Sequence, residues 1–224
     1  MEAPSSGQST GPGQQSQPAP KSVPAGVLAD LVTHGREERN LEYKASFAWG
    51  KGGEPLRSRV IKTCLALANL RDGGAVVVGV VEDPQGTFTP VGVEGHHLKT
   101  YLQDPIQENI NQHADPFIDV TVATVQLEGK AFVVLQVRPF DQVPVICKKN
   151  GIENLRGGAI YTRARKKHET IEVPSQTEMR EILDRATENG VQRWVEIGLH
   201  SGAIKIGGPV ADAAEQFNEQ LGAL

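Results

Sequence analysis

The chain has 224 residues, room for one large domain or two small ones, with 22% charged, 38% apolar and only 5% aromatic side chains. Lys and Arg number 23 against 27 Asp and Glu, and the net charge of −4 excludes a polycation that coats nucleic acid through bulk charge, so any such binding needs a local patch. No apolar run approaches the roughly 20 residues of a membrane-spanning helix, no apolar leader opens the chain, and Cys64 and Cys147 cannot build a disulfide framework or a four-thiolate zinc site. A soluble globular protein of the cytoplasm, with no membrane partner, is expected.

Met1 to Pro24 reads as a disordered tail, because Pro, Gly, Ser and Gln fill 17 of its 24 positions and offer no apolar surface to offset the entropy of ordering. Order is expected from Val27, where Val27, Leu28, Leu31 and Val32 have helical spacing and Gly35 is a stop. Asn40 to Lys44 alternates as a short strand, with Leu41 and Tyr43 on one face. A glycine-rich loop, Phe47 to Pro55, precedes a helix over Leu56–Leu70 whose stripe is Val60, Ile61, Cys64, Leu65, Leu67 and Ala68. After the turn Arg71-Asp72-Gly73-Gly74, the almost wholly apolar run Ala75–Val81 predicts a central strand covered on both faces.

A hairpin through Asp83-Pro84-Gln85-Gly86 leads to a short strand near Val91, and His96–His113 reads as helix restarted at Pro105. Phe117–Gln126 and Ala131–Val137 are strands joined by a turn at Glu128-Gly129, and an irregular stretch with Pro139 and Pro144 precedes a strand over Ala159–Arg163. Ser175 with Glu178 three residues on is a capping box for a helix striped by Met179, Ile182 and Leu183. Val191–Leu199 fits strand or helix, and Val210–Leu221 a terminal helix. This order of elements predicts a mixed α/β (α+β) domain over 27–174, with a mixed central sheet and flanking helices, then a helical extension over 175–224.

Three groups of residues could carry chemistry. Glu37, Glu38 and Glu42 precede Lys44, and the strand's alternation puts Glu42 and Lys44 on one face, opposite Leu41 and Tyr43. A carboxylate beside an ammonium suits metal-dependent phosphodiester cleavage, the acid holding the ion and the lysine stabilising developing charge; it equally suits a solvated strand face with one ion pair. Glu82 and Asp83 leave the apolar strand where further acids could join, although Asp-Pro-x-Gly is also ordinary turn chemistry.

The third group is a concentration of charge. Arg138, Lys148, Lys149, Arg156, Arg163, Arg165, Lys166 and Lys167 stand against only Asp141 and Glu153 between 138 and 168. That local excess within an acidic protein suits phosphate contacts, with Tyr161 as a ring for base stacking. No phosphate-binding glycine loop and no Gly-x-Ser-x-Gly elbow occur, and the six histidines (34, 96, 97, 113, 168, 200) have no ligand spacing that pairs with either cysteine. Cys64 lies on an apolar helical stripe and reads as core.

Taken in order, four blocks resemble the Schlafen-type AlbA domain, a nucleic-acid-binding domain. They are Glu37-x4-Glu42-Tyr43-Lys44, Cys64-Leu65-Ala66-Leu67-Ala68-Asn69, Asp72-Gly73-Gly74-Ala75-Val76-Val77-Val78-Gly79-Val80, and Gly158-Ala159-Ile160-Tyr161-Thr162-Arg163. The resemblance spans roughly Leu31 to Lys167. It implies a small α/β fold that binds nucleic acid. In the family's nuclease branch it implies a three-carboxylate site that takes magnesium or manganese and cuts tRNA or other structured RNA. Carried onto this chain, that site would use Glu37 and Glu42, Lys44 beside them, and Asp83 (or Glu82 in its stead) as the third acid.

Three functions follow as expectations. The first is nucleic-acid binding, to DNA or RNA, through Lys148, Lys149, Arg156, Arg163, Arg165, Lys166 and Lys167, with no cofactor. The second is a metal-dependent endoribonuclease. The third is a protein–protein assembly module, with a homodimer as one form, using a sheet edge and the terminal helix.

Overall fold

The computed structural model describes residues 24–204, so the N-terminal tail before Pro24 and the terminal helix expected at 210–221 lie outside the described residues. A four-stranded mixed sheet organises the domain, in the order β1 (Leu41–Lys44), β2 (Gly74–Val78), β7 (Lys130–Val137), β6 (Val120–Leu127). β1 runs parallel to β2, as a helical crossover requires, and the other pairings are antiparallel.

Alternation along the strands makes two cores. Val76, Val78, Val133 and Leu135 face helix α2 (Glu54–Ala68), whose buried stripe includes Val60, Cys64, Leu65 and Ala68. Ala75, Val77, Phe132 and Val134 face the other way, with Leu41 and Tyr43, and are covered by Leu28 and Val32 of α1 (Ala25–Thr33). A sheet covered on both faces explains the unbroken apolar run of β2. Among the described residues no helix is long and apolar enough to cross a membrane.

The structure departs from the expected elements where the backbone has a specific reason to turn. Ala75–Val81 is not one strand. Gly79 takes φ +109°, and a Cβ there would lie 2.9 Å from both the Gly92 carbonyl carbon and the Phe132 ring. The chain therefore leaves the sheet, and β3 (Val80–Glu82) pairs with β4 (Phe88–Pro90) as a separate hairpin. His96–His113 divides into α3 (Gly95–Leu98) and α4 (Gln103–Asn111), with Pro105 in the first turn of α4.

Short strands absent from the sequence pattern also occur. These are β5 (Ala114–Asp115), which pairs with β8 (Ile146–Cys147), and β10 (Thr170–Glu172), which pairs with the expected strand of 159–163, formed as β9 (Tyr161–Arg163). Val191–Leu199 belongs to a single long helix, α5 (Gln176–His200), whose cap is Ser175, accepting from the Thr177 amide. Ile182 is buried in the main core, whereas Val191, Trp194 and Val195 are exposed. The apolar stripe weakens after Asn189 because that half of the helix faces no core among the described residues.

The irregular Pro139–Pro144 stretch is held by buried polar groups. Asn69, closing α2, donates Nδ2 to the Val145 and Tyr161 carbonyls at 2.8 and 3.0 Å and accepts the Val145 amide at 2.8 Å. Arg185 of α5 donates to the Leu70 and Phe140 carbonyls and lays its guanidinium 3.7 Å from the centre of the Phe140 ring.

Candidate functional site at the β1 edge

β1 is an edge strand, so alternate backbone amides face away from the sheet and need partners. A tight turn supplies them. Glu38 and Leu41 exchange both backbone hydrogen bonds at 3.1 Å, which folds Glu37 back along the strand. One Glu37 carboxylate oxygen then accepts the Tyr43 amide at 3.0 Å. The Tyr43 side chain goes to the opposite core and donates its hydroxyl to the Leu31 carbonyl at 2.7 Å.

Glu42 and Lys44 point to the α2 side, as the alternation predicts. They do not form a solvated face. Glu42 is only 8% exposed, and its two oxygens receive separate cations, Lys44 on one and Arg163 on the other. Arg163, at the end of β9, is fully buried; it also donates to the Arg39 carbonyl and Thr170 hydroxyl, both at 3.3 Å. Arg39 answers by donating Nε to the Arg163 carbonyl at 3.1 Å and its terminal nitrogens to Glu181. That fork, joined by Arg165, holds the Glu181 carboxyl down at about 2.

A cleft of about 550 Å³ opens beside this cluster. Its walls include Glu37, Glu42 and Lys44 from the β1 edge, Arg59 and Lys62 from α2, and Glu82 from β3. Glu153, Asn154 and residues 168–170 of the β9–β10 hairpin contribute further lining. Within it the Glu37 carboxyl is raised above its ordinary value, first by burial and then by the negative charge of Glu42, against the opposing pull of the Tyr43 amide, Lys44 and Arg163.

Of the acids expected at the site, Glu37 and Glu42 come together, Glu82 joins them on the cleft wall, and Asp83 does not. Asp83 spends its Oδ1 on the Gln85 and Thr87 amides, at 2.9 and 2.8 Å, within the β3–β4 turn. Glu42 already has a cation on each oxygen, and among the described residues these acids do not bring three ligand atoms within 4.8 Å of one another. So arranged, Glu37, Glu42 and Glu82 do not form the three-carboxylate set expected for magnesium or manganese.

Half of the basic segment, its four arginines, is paired with acids in space. Arg138 pairs with Asp119, Arg156 with Glu172, Arg163 with Glu42 and Arg165 with Glu181, all acids from outside the segment. Arg163 is therefore corrected from a phosphate contact to an internal ion-pair partner, because a fully buried guanidinium cannot meet a ligand. Tyr161, 2% exposed with its hydroxyl engaged by the Arg156 amide and the Asn154 carbonyl, is core and not a stacking ring. Lys148, Lys149, Lys166 and Lys167 are exposed, and none has an acidic partner among the described residues. Lys166 and Lys167 sit in the β9–β10 turn, directly before the residues that wall the cleft.

Residues 37–172 match the family described as Schlafen, AlbA_2. The crystal structure of a Corynebacterium diphtheriae protein is similar at 16% identity and TM-score 0.44, covering 69% of this chain, which spans only 27% of that protein. The solution structure of the N-terminal domain of a Nitrosomonas europaea protein, named as related to the ATP-dependent DNA helicase RecG, is similar at 23% identity and TM-score 0.39. There the match covers 66% of this chain and 97% of that domain. No curated protein is significantly similar in sequence.

Proposed function

The chain belongs to the Schlafen, AlbA_2 family, which supports a nucleic-acid-associated role, and from that premise we propose that it binds nucleic acid through its phosphate backbone, using Lys148, Lys149, Lys166 and Lys167. The observation that carries this reading is the selective pairing of the basic segment. The arginines of 138–168 are each matched to an acid, while the four lysines are left exposed to solvent. Hydrated ammonium groups with no acidic partner (Lys149 Nζ donates only to the Gln112 side-chain oxygen, at 3.3 Å) suit sequence-independent phosphate contact, and each one engaged adds to the salt dependence of binding. Lys166 and Lys167, in the turn that leads into the cleft wall at 168–170, would hold a backbone beside it.

The nuclease reading needs the carboxylates to converge on a metal, and the double pairing of Glu42 speaks for a structural acid instead. Fluorescence anisotropy with labelled tRNA, single-stranded DNA and double-stranded DNA at low salt, with manganese and with chelator, tests both readings. Charge reversal at Lys166 and Lys167, and separately at Lys148 and Lys149, is expected to weaken binding on every sequence and to lower the salt slope by about 1 for each phosphate no longer engaged. Affinity unchanged in both variants would remove these lysines from the interface. Cleavage that requires metal and disappears in Glu42→Gln would replace the binding-only reading with catalysis.

A further inference from the structure

We propose that Glu94, His96 and His97 form a binding site for a divalent transition ion, with zinc as the occupant their donor atoms suit. The three residues enter and form α3, outside the carboxylate cleft. One ligand atom from each lies within 4.8 Å of the other two. Zinc holds imidazole nitrogens at about 2.0–2.1 Å and carboxylate oxygens at about 2.0–2.2 Å, so donors around one ion stand roughly 3–4 Å apart and small side-chain rotations close the set. The His96 and His97 rings already lie with centroids 4.1 Å apart, and His96 Nδ1 is 3.5 Å from a Glu94 carboxylate oxygen.

A second, independent feature orients the set. The Ser46 hydroxyl, in the loop after β1, accepts the Glu94 amide at 2.9 Å and lies 2.8 Å from His97 Nδ1. One hydroxyl therefore fixes the backbone of one ligand and the ring of another. With Nδ1–H of His97 donating to the same Ser46 oxygen that accepts the Glu94 amide, the tautomer leaves the Nε2 lone pair for a metal, the arrangement by which outer groups set the tautomer and direction of ligating histidines. A Cβ at Gly95 would meet nothing within 4 Å, and the side chains of Glu94 and His96 are open to solvent, so an ion can reach the site directly.

Two imidazoles and one carboxylate select zinc and its neighbours over magnesium or calcium, which prefer all-oxygen shells. Three protein ligands leave a fourth position for water or an anion. Cys64 and Cys147 are buried and do not compete. Because Ala45 lines the cleft and Ser46 follows it, an ion here would tie the loop after β1 to α3 beside the cleft mouth.

Calorimetric titration of the untagged full chain, stripped with chelator, tests the site. Zinc is expected to bind at one ion per chain and to raise the thermal midpoint with concentration, while magnesium does neither. The double substitution H96A and H97A is expected to abolish both effects, and its circular dichroism checks that the fold persists. Glu94→Gln is expected to weaken binding without touching either ring. Ser46→Ala keeps the ligands and removes only their positioning, and is expected to weaken zinc binding about 10–100-fold. Absence of zinc binding by the native chain, binding unchanged in H96A/H97A, or equal binding of magnesium would each overturn the assignment.

Discussion

Arg163→Met separates the two roles open to the basic residue at the end of β9. Sequence alone places Arg163 among the phosphate-binding cations; the structure buries it completely against a Glu42 that is itself 8% exposed. Removing one partner of a buried ion pair costs about 3–5 kcal/mol because the other charge is left uncompensated. Lys44 still serves Glu42, which puts the loss near the lower end, about 3 kcal/mol. For a chain of this size that corresponds to a fall in thermal midpoint of about 6–12 °C. Urea unfolding followed by circular dichroism measures it, with a Lys166→Glu, Lys167→Glu variant as the surface control, expected within about 0.5 kcal/mol of the native chain. A cycle adding Glu42→Gln should recover about 1–3 kcal/mol of coupling, since the neutral amide no longer needs the guanidinium. Native-like stability in Arg163→Met together with weakened nucleic-acid binding would refute the reasoning and return the guanidinium to the phosphate surface.

Two further outcomes test the groups around it. Asn69→Ala strands the Val145 amide and two carbonyls in the core and is expected to cost about 2–4 kcal/mol by chemical denaturation, whereas a loss below about 1 kcal/mol would mean the 139–145 stretch is anchored without it. Glu37 tests the electrostatics of the cleft through pH. Its folded carboxyl titrates above the ordinary 4.5, so the folded state holds that proton more tightly than the unfolded chain. The resulting stability is full below the ordinary value and is lost as pH rises through the raised one. Glu37→Gln cannot ionise, so its stability relative to the native chain should grow from acid to neutral pH and then level off. A difference that stays constant across that range would contradict the burial of Glu37 beside Glu42.

Much of the architecture is written in short-range pattern. The stripe Val60, Ile61, Cys64, Leu65 and Ala68 specifies α2, and the turn at Glu128-Gly129, with φ of 49° and 74°, joins two alternating strands as expected. The capping box at Ser175 starts α5 where its spacing indicates. The errors fall where a local pattern leaves two geometries open. An apolar run cannot say that Gly79 will turn the chain out of the sheet, since that depends on the approach of Gly92 and Phe132 from elsewhere. Glu94-Gly95-His96-His97 is visible in the sequence as a cluster of ligand types. It passes unnoticed when histidines are weighed only against cysteines, and the Ser46 contact that orients it comes from 48 residues earlier.

What the sequence by itself determined is the identity of the layers: a sheet apolar on both faces, the helices that cover it, and the face of β1 on which Glu42 and Lys44 lie. What only the tertiary structure decided is which charges meet. Periodicity reports burial along one element, because each side chain's direction follows from the local backbone. Ion pairing depends on distance across elements far apart in the chain. Glu42 with Arg163 is a buried contact of that kind, and with the surface pairs Arg138–Asp119, Arg156–Glu172 and Arg165–Glu181 it matches the four arginines of the basic segment and leaves its four lysines facing solvent.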